Sequence, residues 1–312
     1  DFPRVDARSY RPQASGDAEA TSAFAGDVTT ALASGGPQVL AESIAETVGQ
    51  PENEHVEFAE HLRLTIPASL YDAAHSSQFA YLLTIALILD RSGKVVERQF
   101  ALAREQLGAE RSKLLRRYYD ELTSTGAEYR LPLLAIAFPA LKLRPAQELS
   151  YLVSLATRMI EIDGEIDLYE YCFYRILMSN LGKAVDPSGR RRAVRSKRAE
   201  LQSSAIGLLR ILADYGHEEH AERDAAFNAG IAALGGWAQE YSYESDRKYT
   251  VSVLDHSLDV LLGLNTKGKE SLLRAISATA GYDGKLSVTE AEMIRAVCAT
   301  LDYPLPPILV HK

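Results

Sequence analysis

The chain has 312 residues, 46% hydrophobic and 24% charged, with a formal net charge of −8 at pH 7. That balance supports a sizeable core in one large or two ordinary domains and argues against disorder as the default. The acidic surplus argues weakly against a general nucleic-acid binder, which needs spare Lys and Arg to neutralise phosphates.

Residues 1 to about 16 carry Pro3, Pro12 and little periodicity, and predict an extended lead-in from something preceding. Asp17 to Ala33 and Pro37 to Val48 are alanine-rich, amphipathic and parted by Gly35-Gly36, the pattern of two short helices. A segment from Pro51 ends before Pro67. Pro67 to His75 predicts a short helix, and Ser76 a cap for the strongly apolar helix that ends at Leu89. The longest uncharged apolar run, Phe79 to Leu89, is about half of the ~20 residues a bilayer crossing needs, so no transmembrane helix is expected.

Asp90-Arg91-Ser92-Gly93-Lys94-Val95 reads as a turn. Val95 to Leu107 and Ala109 to Leu122 read as antiparallel surface helices, charged on one side. Leu131 to Leu143 is almost wholly apolar but holds Pro132 and Pro139, which predicts a kinked or broken buried helix. Pro145 sits where a further helix starts.

That helix leads into a phrase the chain writes twice. Asp163-Gly164-Glu165-Ile166-Asp167-Leu168-Tyr169-Glu170 recurs as Asp283-Gly284-Lys285-Leu286-Ser287-Val288-Thr289-Glu290, displaced by 120 positions. Both read Asp-Gly-x-(Ile/Leu)-x-x-x-Glu between helical apolar patterns, and Arg175 and Leu177 fall against Arg295 and Val297 at the same offset, so a whole helix-turn-helix unit is duplicated. Asp-Gly makes a tight turn in which Gly takes positive φ. Asp167 or Ser287 then caps the outgoing helix, with Glu170 or Glu290 completing a capping box. Between the copies, Arg191 to Tyr215, His217 to Leu234 and Ser245 to Leu262 carry helical patterns. No strand is apparent, and the fold class expected is all-α. The organisation expected is a lead-in with short helices over 1–66, a helical spacer over 67–143, and a domain over 144–312 built around the duplicated unit, with a helical insertion at about 185–265.

The carboxylates Asp163, Glu170, Asp283 and Glu290 are the first candidates for function. Asp, Gly, an aliphatic residue and Glu match the second half of an EF-hand loop, where the final Glu grips Ca²⁺. The first half fails: its leading ligand positions fall on Met159 and Thr279, and the next on Glu161 and Gly281. A divalent cation would therefore require the two loops to converge, and the favoured reading is a turn with a capping box. Arg190, Arg191, Arg192, Arg195, Lys197 and Arg198 form the sharpest basic cluster, either a solvated helix start or a patch for anionic headgroups. His217-Glu218-Glu219-His220 reads as a solvated helix start rather than a transition-metal site. Trp237, Tyr241, Tyr243 and Tyr249 form an aromatic cluster that either packs or lines a peptide groove. Cys172 and Cys298 are too few and too distant for a thiolate zinc site or disulfide scaffold, and buried free thiols in a reducing compartment are expected. The sequence contains no phosphate-binding loop, nucleophile elbow or Cys-His signature, so no catalytic residue and no cofactor of its own is expected.

The duplicated phrase, flanked by apolar helices, resembles the TerB-like module, an all-helical domain named after a tellurite-resistance protein. Three further stretches resemble the soluble carboxy-terminal region of bacterial membrane zinc metallopeptidases related to HtpX. They are Ile66-Pro67-Ala68-Ser69-Leu70 leading into Phe79 to Leu89, Arg130-Leu131-Pro132-Leu133-Leu134 through Phe138-Pro139-Ala140-Leu141, and Ile294-Arg295-Ala296-Val297-Cys298 through Leu305-Pro306-Pro307-Ile308-Leu309. The resemblance spans roughly residues 66 to 310. It implies transmembrane helices and a zinc-binding His-Glu-x-x-His domain upstream in the same polypeptide, on the cytoplasmic face of an inner membrane. That motif is missing here, so the family's catalytic residues have no positions on this chain, and the resemblance implies a regulatory, docking or scaffold role in proteolysis. The other reading is an independent TerB-like metal-responsive or partner-binding module.

Overall fold

The computed structural model describes residues 60–91, 93–186, 196–235, 251–284 and 286–303, and every regular element among them is helical. The lead-in, the two helices expected before Pro51, the aromatic cluster of Trp237, Tyr241, Tyr243 and Tyr249, and the proline-rich tail from Leu305 lie outside the described residues. By compactness the chain divides in two, residues 60–186 belonging to one unit and residues 196–303 to the other. The first copy of the duplicated phrase therefore belongs to the amino-terminal unit and the second to the carboxy-terminal unit. No helix among the described residues is long and apolar enough to cross a membrane.

In the amino-terminal unit the helices are α1 (Ala68–His75), α2 (Ala80–Ile88), α3 (Gly93–Leu107), α4 (Ala109–Ser124), α5 (Arg130–Leu141), α6 (Ala146–Ile160) and α7 (Leu168–Val185), with a short 3₁₀ turn at Ala127–Tyr129. Helix α2 is apolar all round and all of its residues are buried, as a helix without a polar face must be. It packs against α1, α4, α5 and α6. Burying Leu82, Leu83, Ile85, Leu87 and Ile88 contributes roughly 1.5–3 kcal/mol each. The single hydroxyl in this helix, on Thr84, donates to the Ala80 carbonyl at 2.8 Å.

Two details depart from the sequence reading. The N-cap of α2 is Phe79 and has no side-chain cap; Ser76 contributes its backbone carbonyl, which accepts from Phe79 and Ala80 N–H at 3.1 and 2.8 Å. Helix α5 is one continuous helix rather than a broken one. Pro132 occupies its first turn, where an N–H has no intrahelical partner in any case. Pro139 deprives the Ala135 carbonyl of its bond, but both residues face solvent, where water replaces it.

The carboxy-terminal unit comprises α8 (Arg198–Gly216), α9 (His220–Leu234), α10 (Val251–Leu261), α11 (Thr266–Ala280) and α12 (Val288–Leu301). Helix α8 packs on each of the other four and buries Ile206, Leu208, Leu209, Ile211 and Leu212. Asn265 caps α11, its side chain accepting from Gly268 N–H at 2.8 Å. Helices α9 and α11 meet at Gly230. A Cβ there would lie 2.1 Å from Thr279 Oγ1, 3.1 Å from the Ala275 carbonyl and 3.2 Å from Leu209 Cδ1.

This contact sets two effects against each other. Gly→Ala in an ordinary helix interior stabilises by up to about 1 kcal/mol, whereas overpacking a close contact costs about 1–3 kcal/mol. Gly230→Ala is therefore expected to lower the stability of the chain in urea unfolding, and the added change Thr279→Ala to recover part of the loss. A neutral or stabilising Gly230→Ala would refute this account of the packing.

Candidate functional site

The first Asp-Gly turn closes α6 and opens α7. Gly164 has φ +82°, the left-handed region a Cβ disfavours, and its N–H reaches the Glu161 carbonyl at 3.2 Å. Asp163 Oδ1 accepts from Glu165 N–H at 3.2 Å, bracing the bend from inside. Two residues later the chain is extended at Asp167, whose Oδ1 accepts from Glu170 N–H at 2.7 Å while Glu170 Oε2 accepts from Asp167 N–H at 3.1 Å. The pair satisfies reciprocally two amide donors that the start of a helix leaves open. Ile166 and Tyr171, the positions that pack across such a box, are both buried.

The second turn repeats this geometry. Gly284 has φ +78° and its N–H reaches the Gly281 carbonyl at 3.0 Å. Glu290 Oε2 accepts from Ser287 N–H at 2.8 Å and from the Ser287 hydroxyl at 2.7 Å, and Ser287 Oγ accepts from Glu290 N–H at 3.2 Å. Leu286 is buried like Ile166. The shared Arg is interior in both copies, Arg175 and Arg295 being only 4% and 6% exposed, and burial pulls Arg295 down to about 10.

Within each motif the two carboxylates part company. Asp163 and Asp283 are exposed, while Glu170 and Glu290 are buried and spend an oxygen on the cap. Among the described residues no three His, Cys, Asp or Glu side chains are arranged to hold a metal ion. Burial, reinforced by the neighbouring Asp167 charge, pushes Glu170 up to about 9. Burial also pushes Glu290 up, but hydrogen bonds from Ser287 oppose it and the pKa stops at about 7. The exchange of Asp167 for Ser287 is one source of the difference, since Asp167 adds a like charge where Ser287 adds a hydrogen bond.

Sequence reasoning missed His217. Read as part of a solvated helix start, it is instead buried beyond the end of α8, and α9 begins only at His220, which is exposed. His217 Nε2 lies 3.7 Å from Glu290 Oε1, and its ring meets Tyr282 edge-on at 6.2 Å. Among the described residues neither of those two polar atoms has a hydrogen-bond partner. Gly216 makes the approach possible, since a Cβ there would stand 2.1 Å from Glu290 Oε1. A glycine directly before the histidine at the close of an apolar helix was the available signal. The burial of both groups keeps substrate away from them.

The remaining candidates are surface features or lie beyond view. Lys197 is the N-cap residue of α8 and Arg198 its first residue, both exposed, while Arg190, Arg191, Arg192 and Arg195 lie outside the described residues. Cys172 and Cys298 are buried free thiols, as their helical context suggested, and burial pushes Cys298 up to about 12. Comparison with protein-family models, curated proteins and solved structures finds no match to this chain.

The pKa contrast gives a signed expectation. Glu170 binds a proton in the folded chain up to about pH 9 but loses it near its usual pKa of 4.5 when unfolded. Its contribution to stability is therefore complete below pH 4.5 and declines as pH rises toward 9, by up to about 1.4 kcal/mol per pH unit. Glu170→Gln retains an oxygen for the Asp167 amide and removes the titration, so the fall in urea-unfolding stability from about pH 5 to about pH 8 should shrink. Asp167→Ser should move the Glu170 midpoint in a ¹³C-carboxyl titration down toward that of Glu290. An unchanged midpoint would discount the neighbouring charge.

Proposed function

We propose that this chain is a non-catalytic accessory region, regulatory or docking in role, of a membrane-bound zinc metallopeptidase of the HtpX-like kind, and that its TerB-like turns serve architecture. The observation that carries the reading is the use made of the motif residues: Glu170 and Glu290 face inward and cap α7 and α12. Chemistry at a substrate would need those carboxylates accessible, and they are not. The quoted resemblances supply the parent class, in which zinc and the hydrolytic step belong to an upstream domain of the same polypeptide. The basic stretch from Arg190 to Arg198 then suits the anionic cytoplasmic face of the membrane, each cation near such a surface contributing ~1 kcal/mol.

A TerB-like metal-responsive module is the second reading, favoured by the exposure of Asp163 and Asp283 at the bends. The two readings differ in a thermal scan. On the architectural reading, millimolar Ca²⁺ or Mg²⁺ shifts the melting temperature by less than about 1 °C. A larger rise, abolished by Asp163→Ala or Asp283→Ala, establishes the metal-responsive module instead. The parent class is tested separately. The encoded sequence upstream of Asp1 is expected to carry membrane-spanning runs and a His-Glu-x-x-His helix, and the purified chain to leave casein intact in the presence of Zn²⁺. An initiator codon beside Asp1, or zinc-dependent cleavage by this chain alone, overturns the assignment.

A further inference from the structure

The amino-terminal unit contains a groove of about 850 Å³ that none of the motif residues touches. Its walls come from the start of α2, the end of α3, the start of α4 and the start of α6. The volume lies in the range that accommodates small ligands. Phe79, Leu82, Leu107 and Leu114 make one side apolar, and Tyr81, Arg111 and Arg144 bring polar groups to the same space.

Two of those residues each keep one buried polar atom without a partner among the described residues. Tyr81 is 7% exposed and its hydroxyl has no hydrogen-bond partner among the described residues. Arg144 donates from Nη1 to the Ser77 carbonyl at 2.5 Å and from Nη2 to Glu148 at 2.5 Å, but its buried Nε–H has no partner. The Arg144 guanidinium lies 5.2 Å from the centroid of the Tyr81 ring, and burial raises the Tyr81 phenol above its ordinary pKa. Leaving a buried donor unmade costs about 1–3 kcal/mol, so a site that carries two of them is incomplete without an acceptor.

The backbone adds positive potential to the same groove. Neither α4 nor α6 has a side-chain N-cap, their cap positions being Gly108 and Pro145. The first helical bond of α4 runs from Ser112 N–H to the Gly108 carbonyl, so the amides of Ala109, Glu110 and Arg111 precede it. The positive ends of both helix dipoles therefore border the space. Of the acids on the rim, Glu148 is held by Arg144 and Glu110 by Lys113 at 2.7 Å. Arg111 is exposed and has no ion-pair partner among the described residues.

We infer that this groove binds a small amphipathic anion, its carboxylate or phosphate headgroup accepting from the Tyr81 hydroxyl, Arg144 Nε and Arg111, and its apolar tail lying against Phe79, Leu82 and Leu114. Apolar walls with a few polar groups among them are the composition of a small-molecule site.

The test is isothermal titration of the full chain with sodium decanoate and with decyl phosphate, using decanol and inorganic phosphate as controls. At least one amphipathic anion is expected to bind and both controls to fail, and whichever anion is preferred identifies the headgroup. Tyr81→Phe should weaken that binding by about tenfold, the loss expected for one hydrogen bond to a charged group. It should leave the melting temperature of the free chain unchanged or raised, since the hydroxyl it removes has no partner in the fold. Arg111→Gln, at an exposed position where folding is not at stake, should weaken binding severalfold. Equal binding of decanol, no binding of either anion, or affinities untouched by both substitutions would overturn the inference.

Discussion

The two helix-turn-helix units depend on a carboxyl that folding takes out of water. Glu170 and Glu290 each sit at the third position of a helix and reach back to the amide that starts it, while that starting residue returns a bond from its own side chain. Elsewhere a buried glutamate would be a liability, because an ionised carboxylate resists leaving water. Here the backbone amide offsets part of the penalty, and burial raises both pKa values, to about 9 for Glu170 and about 7 for Glu290, so that Glu170 keeps its proton at neutral pH and Glu290 is divided between its two forms. The turn geometry follows from this constraint: a left-handed glycine brings the chain round, an aliphatic residue turns inward, and the cap fixes the direction in which the next helix leaves.

Three other helix ends, those of α2, α6 and α12, are met by side chains from other helices of the same unit. The Leu87 carbonyl, in the last turn of α2, accepts from the Tyr169 hydroxyl at 2.7 Å and from Arg130 at 3.2 Å, with the Arg130 guanidinium stacked 3.4 Å over the Tyr169 ring. Gln99, fully buried, donates to the Met159 carbonyl at 3.1 Å and accepts from Asp90 N–H at 2.8 Å. In the carboxy-terminal unit Lys269 Nζ reaches the Leu301 carbonyl at 2.7 Å. The bonds to Leu87, Met159 and Leu301 satisfy carbonyls that helix formation leaves open, and those to Leu87 and Met159 join residues 43 to 82 positions apart, so they tie distant helices of the unit together.

What could be read from the sequence was local in origin. The Asp-Gly turns, the capping boxes, the inward Ile166 and Leu286, the extent of α1, the end of α3 and the start of α4 follow from contacts within a few residues, and the letters carry them, whereas α3 begins at Gly93, inside the stretch that reads as a turn, and α4 runs on to Ser124. What escaped was set by tertiary contact. Ser76 looked like a cap, but the chain turns there through its backbone carbonyl. The prolines of α5 looked disruptive because sequence alone does not show that Ala135 and Pro139 face solvent. His217 looked solvated because its partner, Glu290, is 73 residues away and meets it only after α12 packs on α8. The groove beside Tyr81 was illegible for the same reason, since its donors come from α2, α4 and the approach to α6, and only their convergence gives them meaning.

The tie between Tyr169 and Leu87 has a consequence for how the chain is made. Its two ends are 82 residues apart in sequence. At a synthesis rate of about 5–20 residues per second, α2 emerges from the ribosome roughly 4–16 s before the residues that seal its end exist. For that interval the Leu87 carbonyl lacks its tyrosine partner, although α1, α4, α5 and α6, which cover the apolar sides of α2, have already been made.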